Sequence, residues 1–466
     1  MFFRPQPVHF TGIGGIGMSG LAEVLLNLGY PVSGSDLRSS PITSRLRALG
    51  ARIFEGHDAA HLGDARALVV SSAVDPANPE LAEARRRGIP VIPRGELLAE
   101  LMRLKFGVAV AGSHGKTTTT SMAATILSEL GLDPTVVVGG RVSTMGGANA
   151  RVGRSDFLVV ESDESDGSFL RLAPIIAVVT NIDHEHLDHY HDFASLRQAF
   201  LEFINKVPFY GVAILCLDDP HLLSLLPEVR RRTLTYGRSA QADLIIQHVT
   251  PQPFGSRFTV RGRQGDLGEF TLQVPGAHNV LNATAAIAVA LELEQEPDAV
   301  RRALAAYRGV DRRFTVRGEA AGVTVIDDYG HHPTEIRATL ATARACGFDR
   351  VLVLFQPHRY SRTELLMDEF ARAFHDADVV LVTEIYAASE APRTGVTGAA
   401  LAERMRAFGH RAVEFVDTLA EGVRRAAGEA RAGDVVVTLG AGSVSQAADL
   451  ILAALAGGAR EVNAHG

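Results

Sequence analysis

The sequence predicts an α/β protein of three domains, each built on a mostly parallel sheet. Three observations carry this expectation. The chain has 466 residues, roughly three times an ordinary domain of 100 to 200 residues. Short apolar runs alternate with amphipathic stretches from end to end, and the 45 glycines and 20 prolines are scattered as punctuation, not gathered into tracts. Two glycine-rich segments, GIGGIG at 12–17 and AGSHGKTTTT at 111–120, each stand where a buried strand turns into a helix.

The first domain, residues 1–100, opens on VHFTG, a short buried strand. Met18, Leu21, Ala22 and Leu25 then share one helix face, and Gly29 closes the helix. A strand through Val32, the run ALVVSSA (67–73) and a helix near 79–88 continue the alternation, and GIPVIPR, with two prolines and Arg94, reads as the exit. The second domain, 101–312, starts with the strand FGVAVAG and a helix marked by Met122, Ile126 and Leu130 and closed by Gly131. FLVVESD, IIAVVTN and GVAILCLDD follow as core strands. Between 232 and 275 the pattern changes to short polar-alternating strands (RTLTYG, ADLIIQHV, SRFTVRG, EFTLQVPG), which predict an extra antiparallel sheet. The alanine-rich helix NATAAIAVALELE ends that domain. The third, 313–466, carries VTVIDDYG, RVLVLFQ, DVVLVTE and DVVVTLGAG as core strands.

Composition narrows the function. With 46 Lys plus Arg against 53 Asp plus Glu, the net charge of −7 offers no polybasic surface for nucleic acid or anionic lipid. Cys216 and Cys346 form no CxxC pair, which removes a disulfide framework and a zinc ribbon and suits a reducing cytosol. MFFRPQPVHF has no apolar core of signal-peptide length, and no run approaches the roughly 18 apolar residues needed to cross a bilayer. The expectation is a cytoplasmic protein acting on small molecules, with no nucleic acid, no membrane insertion and no obligate protein partner.

The strongest chemical signal is AGSHGKTTTT. Phosphate binding needs glycines that let backbone N–H groups approach oxygen, an electropositive helix N-terminus, a lysine for the β and γ phosphates and a hydroxyl for Mg²⁺. Gly112, Ser113, His114, Gly115, Lys116, Thr117 and Thr118 supply this set. The general P-loop pattern has a glycine where this chain has Val110, and the shorter G-x-x-G-K-T starts at Gly112. A tight turn without a ligand is the alternative; GKTTTT after a strand has few other uses, so ATP or GTP is the working ligand. In GIGGIG, Gly12, Gly14 and Gly17, overlapped by Gly15, spell G-x-G-x-x-G, and Asp36 follows the next strand. One reading seats a dinucleotide or nucleotide diphosphate on the helix N-terminus with the acid on a ribose. The other makes the glycines packing devices and Asp36 a cap.

Two acidic segments follow the P-loop. VVESDESDGSF ends a strand with Glu161, and VVTNIDHEHLDHYHDF carries Asn181, Asp183, Glu185 and His186. Mg²⁺ takes few protein oxygens and shares phosphate oxygens, so one carboxylate at a neighbouring strand end is expected, and Glu161 is the first choice. The histidines at 184, 186, 189 and 191 lack the cysteine or i, i+4 spacing of a zinc site. His278, Asn279 and Asn282 open a long apolar helix, where Asn is either an ordinary N-cap or a reader of a purine edge. In the third domain DDYGHHPTEI and FQPHRYSRTE follow core strands, where ligands lie in α/β sheets. Arg359 and Arg362 either fork onto a carboxylate or make surface pairs, Glu364 being the near acid.

Taken together, HFTGIGGIGMSGLA, GSHGKTTTT, ESDESDGSF, TNIDHEHLDHY, HNVLNA, DRRF, DDYGHHPTEI and HRYSRT resemble, in order and over nearly the whole chain, the Mur ligases of bacterial cell-wall synthesis. The resemblance implies a Rossmann-like first domain holding the UDP part of a substrate through Gly12, Gly14, Gly15, Gly17 and Asp36, a central P-loop ATPase, and a Rossmann-like third domain that brings an amino acid. It implies ATP and Mg²⁺ as cofactors. The reaction implied is attack of the lactyl carboxylate of UDP-N-acetylmuramate on the γ-phosphate, then displacement of phosphate by the amine of L-alanine. Lys116, Glu161, His186 and Arg313 would be catalytic: Thr117 and Glu161 would hold one Mg²⁺, His186 would help hold a second, and Arg313 would reach the γ-phosphate. Asn279 and Asn282 would contact adenine, Asp327 would face the nucleotide, and His331, Arg359 and Arg362 would gather L-alanine.

Two departures stand out. Several sister ligases carry a lysine that becomes carbamylated and supports Mg²⁺, where this chain has Phe200, so no carbamate is expected. Glu185 stands where an aspartate is frequent. A recycling ligase joining a tripeptide to the same UDP sugar is the alternative within the family, and GIGGIGMSG favours the alanine reaction. A nicotinamide-dependent dehydrogenase would explain GIGGIG and Asp36 but leave GKTTTT, Glu161 and His186 without a use. A P-loop transporter ATPase or nucleotide-binding regulator would account for the central domain alone.

Overall fold

The computed structural model describes residues 5–71, 73–142, 148–263 and 265–463, organised on three sheets. The chain divides into two compact units. One comprises residues up to His248 with Phe258–Thr271 and Leu281–Arg308; the other comprises Val249–Arg257, Leu272–Val280 and everything from Gly309.

The first unit begins with five parallel strands: β1 (Val8–Thr11), β2 (Val32–Asp36), β3 (Arg52–Glu55), β4 (Ala67–Val70) and β5 (Val91–Pro93), in the order β3-β2-β1-β4-β5. All four residues of β1 are buried, as expected of a central parallel strand. Helix α1 (Ile16–Asn27) buries Met18, Leu21, Ala22 and Leu25 on the face their spacing predicts and ends before Gly29, whose φ of +83° suits glycine. Helices α2 (Pro41–Ala48), α3 (Pro79–Arg86) and α4 (Arg94–Arg103) complete the layer. The strand order reverses between β1 and β4, so a crevice opens at the carboxyl end of β1, where GIGGIG stands. Two details differ from the sequence reading. The strand of ALVVSSA stops at Val70, Ser72 lying outside the described residues, and GIPVIPR leads into α4, which runs across position 100.

The second sheet has ten strands: β6 (Phe106–Ala111), β7 (Thr135–Val142), β8 (Ala148–Arg151), β9 (Phe157–Glu161), β10 (Ile176–Val179), β11 (Val212–Cys216), β12 (Thr233–Gly237), β13 (Leu244–Gln252), β14 (Gly255–Gly262) and β15 (Gly265–Leu272), in the order β15-β14-β13-β12-β11-β10-β6-β9-β7-β8. The expected extra strands attach directly to the central sheet: β12 runs parallel to β11, and β13 parallel to β12, so this segment extends it. Only β13, β14 and β15, joined by two-residue links, turn back on one another. Polar alternation records which faces meet water, not strand direction, which is why the sequence pattern misplaced β12. The antiparallel edge pair β7 and β8 was not foreseen. Helix α5 (Lys116–Glu129) follows β6. Ala111 at the end of β6 pairs with Val179 of β10, and Val110 with Glu161 of β9, so three carboxyl ends lie side by side.

The second unit is built on β16 (Thr315–Ala320), β17 (Val323–Asp328), β18 (Val351–Phe355), β19 (Val379–Val382), β20 (Val413–Phe415) and β21 (Val435–Leu439), in the order β16-β17-β21-β18-β19-β20. β16 is antiparallel to β17 and the other pairings are parallel. Val351, Val353 and Phe355 enter one core with Ile336, Leu340 and Phe374, while Leu352 and Leu354 enter the opposite one with Val423 and Ile451. Covering both faces is what makes VLVLF apolar without interruption. Among the described residues, no helix is long and apolar enough to cross a membrane.

Candidate active site

The loop between β6 and α5 requires glycine at two places. Gly112 has φ +131°, and a Cβ there would lie 2.1 Å from Thr180 Oγ1; Gly115 has φ +79°, and a Cβ would lie 2.6 Å from Asn282 Oδ1. Residues after β10 pin the loop from the side. Thr180 Oγ1 donates to His114 O (2.6 Å), Asn181 Oδ1 accepts from His114 N (2.8 Å), and Ser113 Oγ accepts from Asp183 N (2.8 Å). The His114 ring stands 2.9 Å from Asp183 Oδ2. Helix α5 begins after Gly115 with no side-chain cap, which leaves first-turn N–H groups for an anion. Thr118 is buried on α5, and Asn282 is buried against Gly115.

Two carboxylates, one ending β9 and one three residues beyond it, face the head of α5. Thr117 Oγ1 donates to Glu161 Oε1 at 2.8 Å, and Glu161 Oε2 accepts from Gly139 N at 2.5 Å. Burial raises the Glu161 carboxyl above the ordinary range, and the Gly139 hydrogen bond and the Lys116 charge only partly offset it. Lys116 Nζ donates to Gly112 O (2.6 Å), Ser113 O (3.1 Å) and Glu164 Oε1 (2.8 Å). Burial alone would lower this ammonium, but Glu164, Asp163 and Glu185 raise it above the usual lysine value, so it stays charged. Glu164 is buried, and its Oε2 has no hydrogen-bond partner among the described residues. His186, at φ +57°, places Nε2 3.5 Å from Glu164 Oε1 and 3.9 Å from Glu185 Oε2. Burial lowers the imidazole and these two acids outweigh it, so it is held above its ordinary value.

The donor atoms of Glu164, Glu185 and His186 all lie within 4.8 Å of one another. Two acids, an imidazole and an orphaned buried oxygen fit a divalent cation, as does the hard-oxygen pair of Thr117 and Glu161. The sequence reading found Glu161 and His186 but passed over Glu164; the only signal was a third acid, three positions after Glu161, in ESDES. Phe200 is fully buried, its ring 5.3 Å from that of Phe169, so the position of the sister ligases' lysine is filled by core.

At the first crevice, Gly12 has φ +74°, Gly15 is the N-cap of α1 without a side-chain cap, and Gly14 N donates to Asp36 Oδ2 at 2.8 Å. Asp36 thus grips the glycine loop itself. A buried acid missed in the sequence lies beneath. Thr11 and Ser35 hydroxyls donate to Glu80 Oε2, both at 2.7 Å, and His61 Nδ1 is 3.1 Å from Oε1. Burial would raise this carboxyl, but the His9 ring, its Nε2 3.5 Å from Oε2, and the hydrogen bonds from Ser35 and Thr11 hold it at about 2. The network ties together the ends of β1 and β2, which carry the glycine loop and Asp36.

In the second unit the loops after β17, β18 and β19, with the segment before β16, gather a cationic cluster. Arg313 Nη1 is 3.2 Å from Glu335 Oε1, and Glu335 Oε2 accepts from His331 N at 3.0 Å. The His331 and His358 rings lie 5.8 Å apart, and Arg362 Nη1 is 3.5 Å from His358 Nδ1. Burial, helped by His331, Arg362 and Arg359, pushes His358 down to about 4 and keeps it neutral. Arg359 is exposed at φ +69°, with its N–H on Tyr386 O. Glu364 pairs with Arg393, so it does not account for Arg359 or Arg362. Asp327 accepts from Thr438 Oγ1 (2.8 Å) and Arg312 Nε (3.2 Å), and Asn279 donates its amide to Pro275 O (2.6 Å); both are engaged within their own unit. Glu335, His358, Tyr386 and Arg312 were missed, since their contacts with Arg313, His331, His358 and Asp327 depend on how the loops meet in the fold.

Three family descriptions match in succession: "Mur ligase family, catalytic domain" over residues 7–106, "Mur ligase middle domain" over 110–290 and "Mur ligase, glutamate ligase domain" over 312–442. A UDP-N-acetylmuramate--L-alanine ligase of Solibacter usitatus is 69% identical over 452 residues, covering 97% of this chain and 96% of that protein. One from Myxococcus xanthus is 58% identical over 438 residues, covering 94% and 93%. The crystal structure of the UDP-N-acetylmuramate-alanine ligase of Thermotoga maritima superimposes with a TM-score of 0.80 at 30% identity, covering 96% of this chain and 98% of that one. A murein peptide ligase of Psychrobacter arcticus gives 0.70 at 25%, covering 97% and 99%. With its P-loop, its acidic strand ends and all three sheets falling inside these matches, the chain belongs to the Mur ligase family.

Proposed function

We propose that the protein is an ATP-dependent ligase that joins L-alanine to the lactyl carboxylate of UDP-N-acetylmuramate, giving ADP and phosphate, in the cytoplasm. The observation that carries the chemistry is the meeting of Lys116, Thr117, Glu161 and Glu164 at the head of α5. The substrates rest on the names of relatives up to 69% identical over nearly the full chain.

A carboxylate oxygen forms a bond to the γ-phosphorus while the bond to the ADP oxygen breaks. The amine of L-alanine then attacks the acyl carbon, loses a proton, and phosphate leaves. The first step brings two anions together. Lys116, charged and fixed by three acceptors, meets the negative charge that develops on the transferring phosphoryl group, and the uncapped backbone N–H groups at the head of α5 orient it. Mg²⁺, held by Thr117 and Glu161 and at a second place by His186 with Glu164 and Glu185, would offset phosphate charge against the incoming carboxylate. Asn282, beside Gly115, contacts the nucleotide with Asn279. In the second unit Arg313 serves the γ-phosphate, while Arg359 and Arg362 hold the alanine carboxylate and His331 borders its amine.

The test is phosphate release from ATP with each substrate omitted in turn, and with an amino-acid panel that includes the tripeptide. Release only when UDP-N-acetylmuramate and L-alanine are both present supports the reading. Release with the tripeptide in place of L-alanine would assign the recycling reaction instead.

A further inference from the structure

Arg94 occupies a place that neither glycine motif announces. It opens α4 at the carboxyl edge of the first sheet, and its guanidinium lies across the first turn of α1. A Cβ at Gly17 would fall 2.8 Å from Arg94 Nη1, 3.1 Å from its Cδ and 3.4 Å from its Cζ. The opposite edge of the group faces Asp163 Oδ2 at 3.7 Å. Asp163 stands between Glu161 and Glu164, the two acids that meet Thr117 and Lys116. One side chain therefore spans the distance between the glycine loop of the first sheet and the acidic loop of the second.

The backbone around it is built for close approach. A Cβ at Gly95 would lie 2.6 Å from Ser168 Cβ, and Glu96 binds Arg171 at 2.6 Å, so the start of α4 is fastened to the segment after Asp163. The electrostatics are unbalanced. Arg94 sits in the first turn of its own helix and against the first turn of α1, where a cation is disfavoured. Among the described residues its carboxylate neighbour, Asp163, is beyond hydrogen-bond length and 42% exposed. A planar fork with 29% of its side chain still open to solvent is suited to phosphate oxygens.

We propose that Arg94 is a substrate-positioning residue. It binds the diphosphate of the UDP sugar seated on the GIGGIG loop and, through Asp163, sets that loop against the acids beside the P-loop. This rests on the ligase reading above. A side chain at Gly17 would displace the guanidinium from its place over the first turn of α1.

The experiment is titration calorimetry of UDP-N-acetylmuramate into the nucleotide-free full chain, followed by steady-state assays. Arg94→Ala should raise the dissociation constant and KM for the UDP sugar on the order of tenfold to a hundredfold, as for a lost charge-assisted hydrogen bond, and leave KM for L-alanine unchanged. Arg94→Lys, which keeps charge and stem but not the fork, should fall between, and carries the test if the alanine variant does not fold. Glu96→Gln loosens the neighbouring tie of α4 and should bind as the parent does. Unchanged binding by a folded Arg94 variant would overturn the proposal, and so would equal losses in Arg94→Ala and Glu96→Gln, which would reduce Arg94 to a structural tie. A parent chain that binds another anionic nucleotide and not UDP-N-acetylmuramate would refute the ligase reading alone, and the same comparison of variants with that nucleotide would still decide the role of Arg94.

Discussion

Replacing Lys116 by Ala should damage two things that can be separated. Lys116 Nζ lies 2.8 Å from Glu164 Oε1, and Glu164 is fully buried with its second oxygen unpartnered among the described residues. Removing the ammonium strands that charge, which costs about 3 kcal/mol, the lower end for breaking a buried pair because the lysine keeps some access to water. The same change removes a cation from the transferring phosphoryl group and should slow turnover at least about a hundredfold. Adding Glu164→Gln removes the stranded charge and should return most of the lost stability without returning activity. The chain has no tryptophan, so urea unfolding is followed by circular dichroism and turnover by phosphate release. If Lys116→Ala unfolds at the parent's midpoint, the pair does not hold the loop. If the double variant regains turnover, Lys116 does not serve the phosphate and the P-loop assignment fails.

Three further outcomes follow from the geometry. Glu161→Gln keeps shape and removes charge beside Thr117, so it should raise the Mg²⁺ concentration needed for half-maximal rate while sparing KM for the UDP sugar; an unchanged Mg²⁺ titration would remove it from the metal's ligands. Arg359→Lys retains charge and loses the fork, so KM for L-alanine should rise strongly with that for ATP nearly constant, and the reverse pattern would assign this arginine to the nucleotide. Glu80 titrates at about 2 when folded, below its ordinary 4.3 to 4.5, so the stability it lends, roughly 3 kcal/mol, is present above pH 4.5 and lost as pH falls toward 2. The unfolding midpoints of the parent and of Glu80→Gln should therefore converge on acidification, and a constant gap would show that the carboxylate is not the cause.

What could be read in the sequence was what short spacing encodes. Gly112, Gly115, Lys116 and Thr117 lie within six positions, and the demands of a strand, a turn and a helix N-terminus are local, so the phosphate loop was legible before any fold. The partner of Lys116 was not. Glu164 is 48 positions away, and it reaches the lysine only because Val110 of β6 pairs with Glu161 of β9, a register that hydropathy does not specify. The same holds for Glu80, 69 positions from Thr11, and for the parallel direction of β12. Asp36 shows a third case. Its place at the carboxyl end of a strand was clear, yet two roles were open until the chain closed on itself and set Oδ2 on Gly14 N. That contact shapes the loop, so an acid can serve a glycine loop by holding its backbone. The Lys116 contacts invite the same argument in the other direction: the ammonium is held by Gly112 O, Ser113 O and Glu164, groups that fix its position for incoming phosphate and must share it once the phosphate arrives. An unpartnered Glu164 oxygen at that moment is the strongest physical reason to seat a divalent cation there, between the acid and the phosphate it would otherwise repel.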